Sequence, residues 1–146
     1  MIRKIYKFGG ASVKDADAVR NLKNIIEKEN REDLMLVISA MGKTTNAIEK
    51  ALSDFRKNNG HLEITALSEI IGFHENIMID LFEGNTSHPV FEVMTNLFLD
   101  LYLNLQETGF DYDYQYDNTV SFGEILSTTL ISAYLNECGI KNELID

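Results

Sequence analysis

The chain has 146 residues, the size of one domain or of half a larger one. Apolar residues make up 45% and charged residues 25%, near globular averages, which excludes wholesale disorder. Lys plus Arg is 13 against 23 Asp plus Glu, a formal charge of −10; such a field repels phosphate backbones, so generic nucleic-acid or anionic-membrane binding is excluded and an anionic ligand needs a local positive site.

Lys4–Phe8 is a short apolar and aromatic run stopped by Gly9-Gly10, which predicts a strand with a sharp exit. In Asp15–Glu29 the residues Ala18, Val19, Leu22, Ile25 and Ile26 form one stripe of an amphipathic helix. Ser12 through Asp15 fits a capping box ahead of it, and Asp15 and Asp17 suit the positive end of its dipole. Leu34–Ile38 is apolar without alternation, as in strands buried on both faces of a parallel sheet. The small polar loop Ser39–Asn46 leads into a predicted helix over Ala47–Lys57, with Asn59-Gly60 as its stop. Strand, helix, strand in this order predicts a right-handed βαβ unit.

The middle is predicted helical over Ile64–Glu83 and Phe91–Thr108. In the second, Glu92, Asn96, Asp100 and Asn104 recur every four residues, which predicts one narrow solvated stripe on an otherwise buried rod. Ile64–Glu83 is fairly apolar, yet Glu69, His74, Glu75 and Asp80 exclude a membrane span. Asp111–Asp117 alternates acids or an amide with Tyr112, Tyr114 and Tyr116. A calcium loop would need glycine where Tyr116 stands, so an exposed loop or edge strand is the better reading. A last helix is predicted over Ile125–Glu137 with Gly139 as its C′ residue, and Asn142–Asp146 reads as a strand entering a sheet. Cys138 has no internal partner, which points to a reducing, cytoplasmic home, and the N-terminus has no signal-peptide h-region.

Ligands in α/β proteins bind in loops beyond the carboxyl ends of parallel strands. Lys7-Phe8-Gly9-Gly10-Ala11-Ser12 sets a lysine beside two glycines and a hydroxyl ahead of a helix, a combination suited to phosphate oxygens; a plain tight turn with a solvated lysine is the alternative. Gly42-Lys43-Thr44 looks like the end of a Walker A loop, but Val37 stands where that loop needs its opening glycine, so the P-loop reading is rejected. Glu124 reads on periodicity as the partner of Ser121 in a capping box. His61, His74 and His88 are too scattered for a zinc site, and no metal site is expected from the protein side chains.

Three segments together resemble a known family. Lys7-Phe8-Gly9-Gly10-Ala11-Ser12 is similar to the opening Lys-Phe-Gly-Gly-Thr-Ser motif of aspartate kinases. Val37–Asn46 resembles their Val-Val-Ser-Ala-Met motif followed by Thr-Asn. Ser121-Phe122-Gly123-Glu124-x-x-Ser127 resembles Ser-x-Gly-Glu-x-x-Ser. The resemblance spans Lys7 to Asp146 and implies an α/β amino-acid-kinase fold, a mostly parallel sheet flanked by helices with a helical middle. It implies transfer of the ATP γ-phosphoryl group to the side-chain carboxylate of L-aspartate, the first step towards lysine, threonine and methionine.

Carried over residue by residue, Lys7 is the catalytic lysine on the ATP phosphates. Phe8, Gly9, Gly10 and Ser12 belong with it to the nucleotide loop. Ser39 and Thr45 line the phosphate and aspartate pocket, and Glu124 receives the amino group of aspartate. Magnesium would ride mainly on the nucleotide phosphates. Ala11 replaces the usual threonine, which implies weaker positioning with the backbone donors intact. Residues 1–146 are then expected to be the N-terminal, amino-acid-binding lobe, with the nucleotide-binding lobe and regulatory domains outside it. The parent would be a homo-oligomer, and the lobe alone would not turn over. A glutamate-type kinase of the same superfamily and a non-catalytic binding or interaction module are the rival readings.

Overall fold

Lys4–Phe8 (β1) and Leu34–Ile38 (β2) pair in parallel, from Lys4 opposite Leu34 to Phe8 opposite Ile38. This is seen in the computed structural model, which describes residues 4–29, 33–58, 64–109 and 111–145. A 3-10 turn over Gly10–Val13 and helix α1 (Ala16–Glu29) connect the strands, and α2 (Thr44–Lys57) follows β2. Then come α3 (Ile64–Leu81), α4 (Pro89–Leu105), α5 (Tyr112–Val120) and α6 (Phe122–Glu137). The expected α/β class with a parallel sheet and a helical middle is what forms.

Side chains alternate across a strand, and the two faces of this sheet differ. Tyr6, Phe8, Leu34, Leu36 and Ile38 pack on the helical core. Lys7 lies on the opposite face with Ile5, Met35 and Val37, where Ile5 is 61% and Val37 43% exposed. The expectation that Leu34–Ile38 is buried on both faces is therefore corrected. Among the described residues the sheet has two strands, and its second face is left largely open.

Helix starts differ from expectation for local reasons. Asp15 caps α1, its Oδ1 accepting from Ala18 N–H at 2.8 Å; Ser12 does not, because the 3-10 turn takes it up, its N–H donating to Gly9 O. Helix α2 begins at Thr44, three residues early, with the Thr44 hydroxyl donating to Met41 O at 2.7 Å. Asn59-Gly60, the expected stop, lies outside the described residues. Pro89 at the first position starts α4 early, where its missing N–H costs nothing.

Three expectations fail further along. The Asp111–Asp117 stretch is helical: the Asp111 carboxylate accepts from Tyr114 N–H, and Gln115 and Thr119, four apart, are buried. Gln115 Oε1 accepts from Arg56 Nε at 2.9 Å, tying α5 to α2. On α4 the solvated face is broader than a narrow stripe, because Val93, Leu99 and Leu103 are exposed as well. Asn104 leaves that face, its Oδ1 accepting from the Thr119 hydroxyl. Residues 142–145 are not a strand. Asn142 is held on α6 instead, its N–H donating to Asn136 Oδ1 and its side chain paired with Ser132.

The core is helical: Met94, Leu101, Leu105, Leu126, Leu130 and Ile131 are fully buried, each worth about 1.5–3 kcal/mol against exposure. Fully buried among them is His74 of α3. Its Nδ1 lies 2.8 Å from Ile70 O, which only accepts, so Nδ1 bears the proton. Among the described residues Nε2 has no hydrogen-bond partner, and the ring meets Phe73 and Phe98 edge-on. Burial pushes its pKa below the ordinary histidine range, opposed in part by the Ile70 bond.

The sign follows from which state takes the proton. Unfolded chains protonate His74 near pH 6.5 while the folded chain resists, so His74 favours the fold fully above that pH and less below it. The urea midpoint should fall between pH 7.5 and 5.5, the histidine contributing at most about 1.4 kcal/mol per pH unit. His74→Leu should flatten that segment of the profile; an unchanged slope would refute the assignment.

Candidate functional site

Two loops leave the sheet at its carboxyl end, one after Phe8 and one after Ile38, and α6 brings its first turn against the second. The first two touch through backbone. Gly42 N–H donates to Gly10 O at 3.1 Å, and Ser39 N–H to Phe8 O at 2.9 Å. A side chain at Gly10 would place its Cβ 2.8 Å from Ala40 O and 3.0 Å from Gly42 O. Gly10 is thus a packing glycine, seated on the second loop. Gly9 differs: a Cβ there would meet nothing within 4 Å, so its face is open to an incoming group.

The third segment closes on the same point. A Cβ at Gly123 would lie 2.9 Å from the Ala40 methyl and 3.4 Å from Thr45 Oγ1. Ser127, fully buried, donates its hydroxyl toward Ser39 O at 2.9 Å. Ala40 is therefore gripped from two sides, by Gly10 and by Gly123. The second loop takes its sharp turn at Gly42, whose φ of +54° favours glycine, and Phe73 of α3 packs beneath it.

The expected site residues group as follows. Phe8 is a core residue at the end of β1, while Gly9, Gly10, Ser12, Ser39, Thr45 and Glu124 lie on the three segments that meet at Ala40. Lys7 stands exposed near the end of β1 on the open sheet face, opposite Val37. Among the described residues neither the Lys7 ammonium nor the Glu124 carboxylate enters an ion pair or hydrogen bond. The backbone N–H groups of Gly10 and Ala11 likewise have no acceptor there.

The capping-box role read for Glu124 does not occur. Helix α5 runs almost directly into α6, Ser121 is itself helical (φ −59°, ψ −24°), and its hydroxyl donates back to Asn118 O. With no cap to complete, the Glu124 carboxylate has no hydrogen-bond or ion-pair partner among the described residues. A cleft of about 290 Å³ opens beside the first turn of α2, lined among others by Lys43, Asn46, Lys50 and Glu69. Lys7, Gly9, Gly10, Ser12 and Glu124 do not line it. What escaped the sequence reading is Ala40 and the seating of Gly10 and Gly123 on it. The one signal was that all three positions hold residues with little or no side chain.

The geometry agrees with comparison to known proteins. The model of the amino acid kinase family matches residues 3–146. The chain belongs to the amino acid kinase family. It is 34% identical to aspartokinase 1, chloroplastic, of Arabidopsis thaliana, over 97% of this chain and 25% of that protein. It is 28% identical to bifunctional aspartokinase/homoserine dehydrogenase 2 of Escherichia coli K12, over 99% of this chain and 17% of the relative. Its fold is similar to the crystal structure of E. coli aspartokinase III in complex with aspartate and ADP, with a TM-score of 0.74, 24% identity, and coverage of 95% of this chain and 30% of that one. The chain thus spans about a quarter, or less, of the length of these curated relatives.

The two glycines of the first loop should respond differently to one methyl. Gly10→Ala forces a Cβ into backbone oxygens that cannot yield, and should cost about 1–3 kcal/mol. Gly9→Ala, at φ −75° with free space, should stay within about 0.5 kcal/mol of the parent. Urea denaturation of both variants checks this; equal losses would sink the division of roles.

Proposed function

We propose that this chain is the amino-acid-binding lobe of an aspartate kinase, whose parent protein moves the γ-phosphoryl group of ATP to the side-chain carboxylate of L-aspartate. The observation that supports this best is the meeting of three loops at Ala40. It gathers a nucleotide loop (Gly9, Gly10, Ser12), two hydroxyl residues (Ser39, Thr45) and an unpaired carboxylate (Glu124) at one end of the fold. The aspartokinase relatives, and the aspartate and ADP held by the structural neighbour, give the reading its substrates.

In this reading each group answers a separate electrostatic need. The Glu124 carboxylate complements the substrate ammonium, and the hydroxyls of Ser39 and Thr45 orient the substrate. Open backbone donors beside Gly9 and the Ser12 hydroxyl suit phosphate oxygens. Lys7 offsets the charge that gathers as an oxygen of the aspartate carboxylate bonds to phosphorus and the bond to the ADP oxygen breaks. Positioning and charge neutralisation suffice, without a covalent enzyme intermediate. ATP brings magnesium on its own phosphate oxygens; among the described residues no three His, Cys, Asp or Glu groups gather to hold it. The free, half-buried Cys138 suits a reducing compartment, the cytoplasm in our reading.

A second reading, an interaction module, draws on the open sheet face at Ile5 and Val37 and on exposed Val93, Leu99 and Leu103 of α4. Calorimetry with L-aspartate and with ATP separates the two, because a module of that kind takes up neither. In the full protein, Lys7→Met should lower kcat at least about 100-fold. Glu124→Gln should raise KM for L-aspartate about tenfold with KM for ATP little changed. Aspartate should be turned over in preference to glutamate and N-acetylglutamate, and a Lys7→Met enzyme with parental kcat would end the proposal.

A further inference from the structure

We propose that Ser127 is a positioning residue that fixes Ser39 and Glu124 relative to one another, so that the amino-acid half of the site is set by a hydrogen bond no ligand touches. The inference rests on the aspartate reading of those two residues. Ser127 is 0% exposed, one turn along α6 from Glu124. Its Oγ lies 3.0 Å from Glu124 O and 2.9 Å from Ser39 O. The first contact is the back-bond that helical serines commonly make. The second crosses 88 residues of sequence, and nothing in helix formation calls for it.

Ser39 is the residue at which this crossing matters. Its N–H still donates to Phe8 O, continuing the ladder, but beyond it the chain turns into the second loop. Its carbonyl accepts from Ser127 on α6 instead. One residue of the loop is thus fixed through its N–H on the sheet side by Phe8 and through its carbonyl on the helix side by Ser127. Gly123 supplies the steric half of the same joint, resting on Ala40 with no space for a methyl group. Contact sets the depth at which α6 sits, and the Ser127 hydroxyl sets its rotation and register. Glu124 lies between these two fixed points in sequence, so its carboxylate inherits its position from both.

The nucleotide loop meets this joint only through the backbone of Phe8 and Gly10, and among the described residues Ser127 hydrogen-bonds to none of Gly9, Gly10 and Ser12. A positioning role therefore predicts a split that a general loss of structure does not. Thr128 is the internal control: its hydroxyl donates only to Glu124 O and Ile125 O, within its own helix. In the full protein, titrated by calorimetry with L-aspartate and separately with Mg-ADP, Ser127→Ala should weaken aspartate about 5- to 20-fold. Mg-ADP should change less than about twofold. Ser127→Cys, which keeps the volume but donates weakly, should fall between parent and alanine variant, and it serves as the test if Ser127→Ala does not fold. Thr128→Val should bind both ligands as the parent does. Unchanged aspartate affinity in the Ser127 variants, or equal loss of both ligands, overturns the positioning role alone. A parent that binds no aspartate overturns the reading of the site and this inference with it.

Discussion

The grouping of the three segments depends on two glycine backbones approaching one alanine. Ala40 is 3% exposed, with the Gly10 Cα against its carbonyl and the Gly123 Cα against its side chain. Each contact is possible only because a Cβ is absent on the far side. Dispersion between such atoms is weak singly, but a close-packed joint of this kind resists displacement because any widening forfeits contacts on both sides at once. Residues far apart in sequence, from Gly9 to Glu124, are held together by this small cluster rather than by contacts among their own functional groups. Among the described residues the Lys7 and Glu124 side chains are left unpaired, which is what the proposed function asks of them.

The helical bundle provides the rigid backing that the small sheet cannot. Two strands with one open face do not stabilise a site alone. The second loop, however, is braced from below by Phe73 of α3 and from the side by α6. Helix α6 is itself held by Leu126, Leu130 and Ile131 in the core. Stability and site geometry thus share their elements: the apolar face of α6 anchors it, and its first turn seats Gly123 on the loop and carries Glu124 next to it in sequence.

Much of this was legible in the sequence, and the failures are informative. Strands, the parallel pairing and the helices α1, α3, α4 and α6 follow from apolar periodicity, because those elements bury aliphatic stripes. Helix α5 was missed because what it buries is polar: Gln115 and Thr119 write no hydrophobic pattern, and the alternating tyrosines imitate a strand. The tail at 142–145 was misread for the opposite reason. Its apolar Leu144 and Ile145 suggest a strand, but Asn142 ties the segment to α6 and both residues stay exposed. Both capping boxes failed because capping is decided by where the chain turns. Asp15 lies at that turn while Ser12 lies inside the 3-10 turn, and Ser121 lies within a nearly continuous helix. The three motifs fall on segments that the fold brings together, whereas their mode of contact through Ala40 depends on three-dimensional proximity that no spacing encodes.

The charge distribution gives the assembled loops a property that the whole chain lacks. A net charge of −10 disfavours any anion in general. Yet residues 7–14 and 39–46 contain Lys7, Lys14 and Lys43 and no Asp or Glu. Separately, each segment is a modest positive stretch in an acidic sequence. The hydrogen bond from Gly42 N–H to Gly10 O joins the two segments through backbone; Lys14 faces Asp15 at 4.0 Å, whereas Lys7 has no such partner among the described residues. In the proposed function, it is the folding of these segments against each other, not composition, that offers a polyphosphate a local positive site, and Glu124 on the third segment is the opposite charge that an amino-acid substrate needs and a nucleotide does not. On that proposal, selectivity between amino acid and nucleotide rests on which segment each one meets.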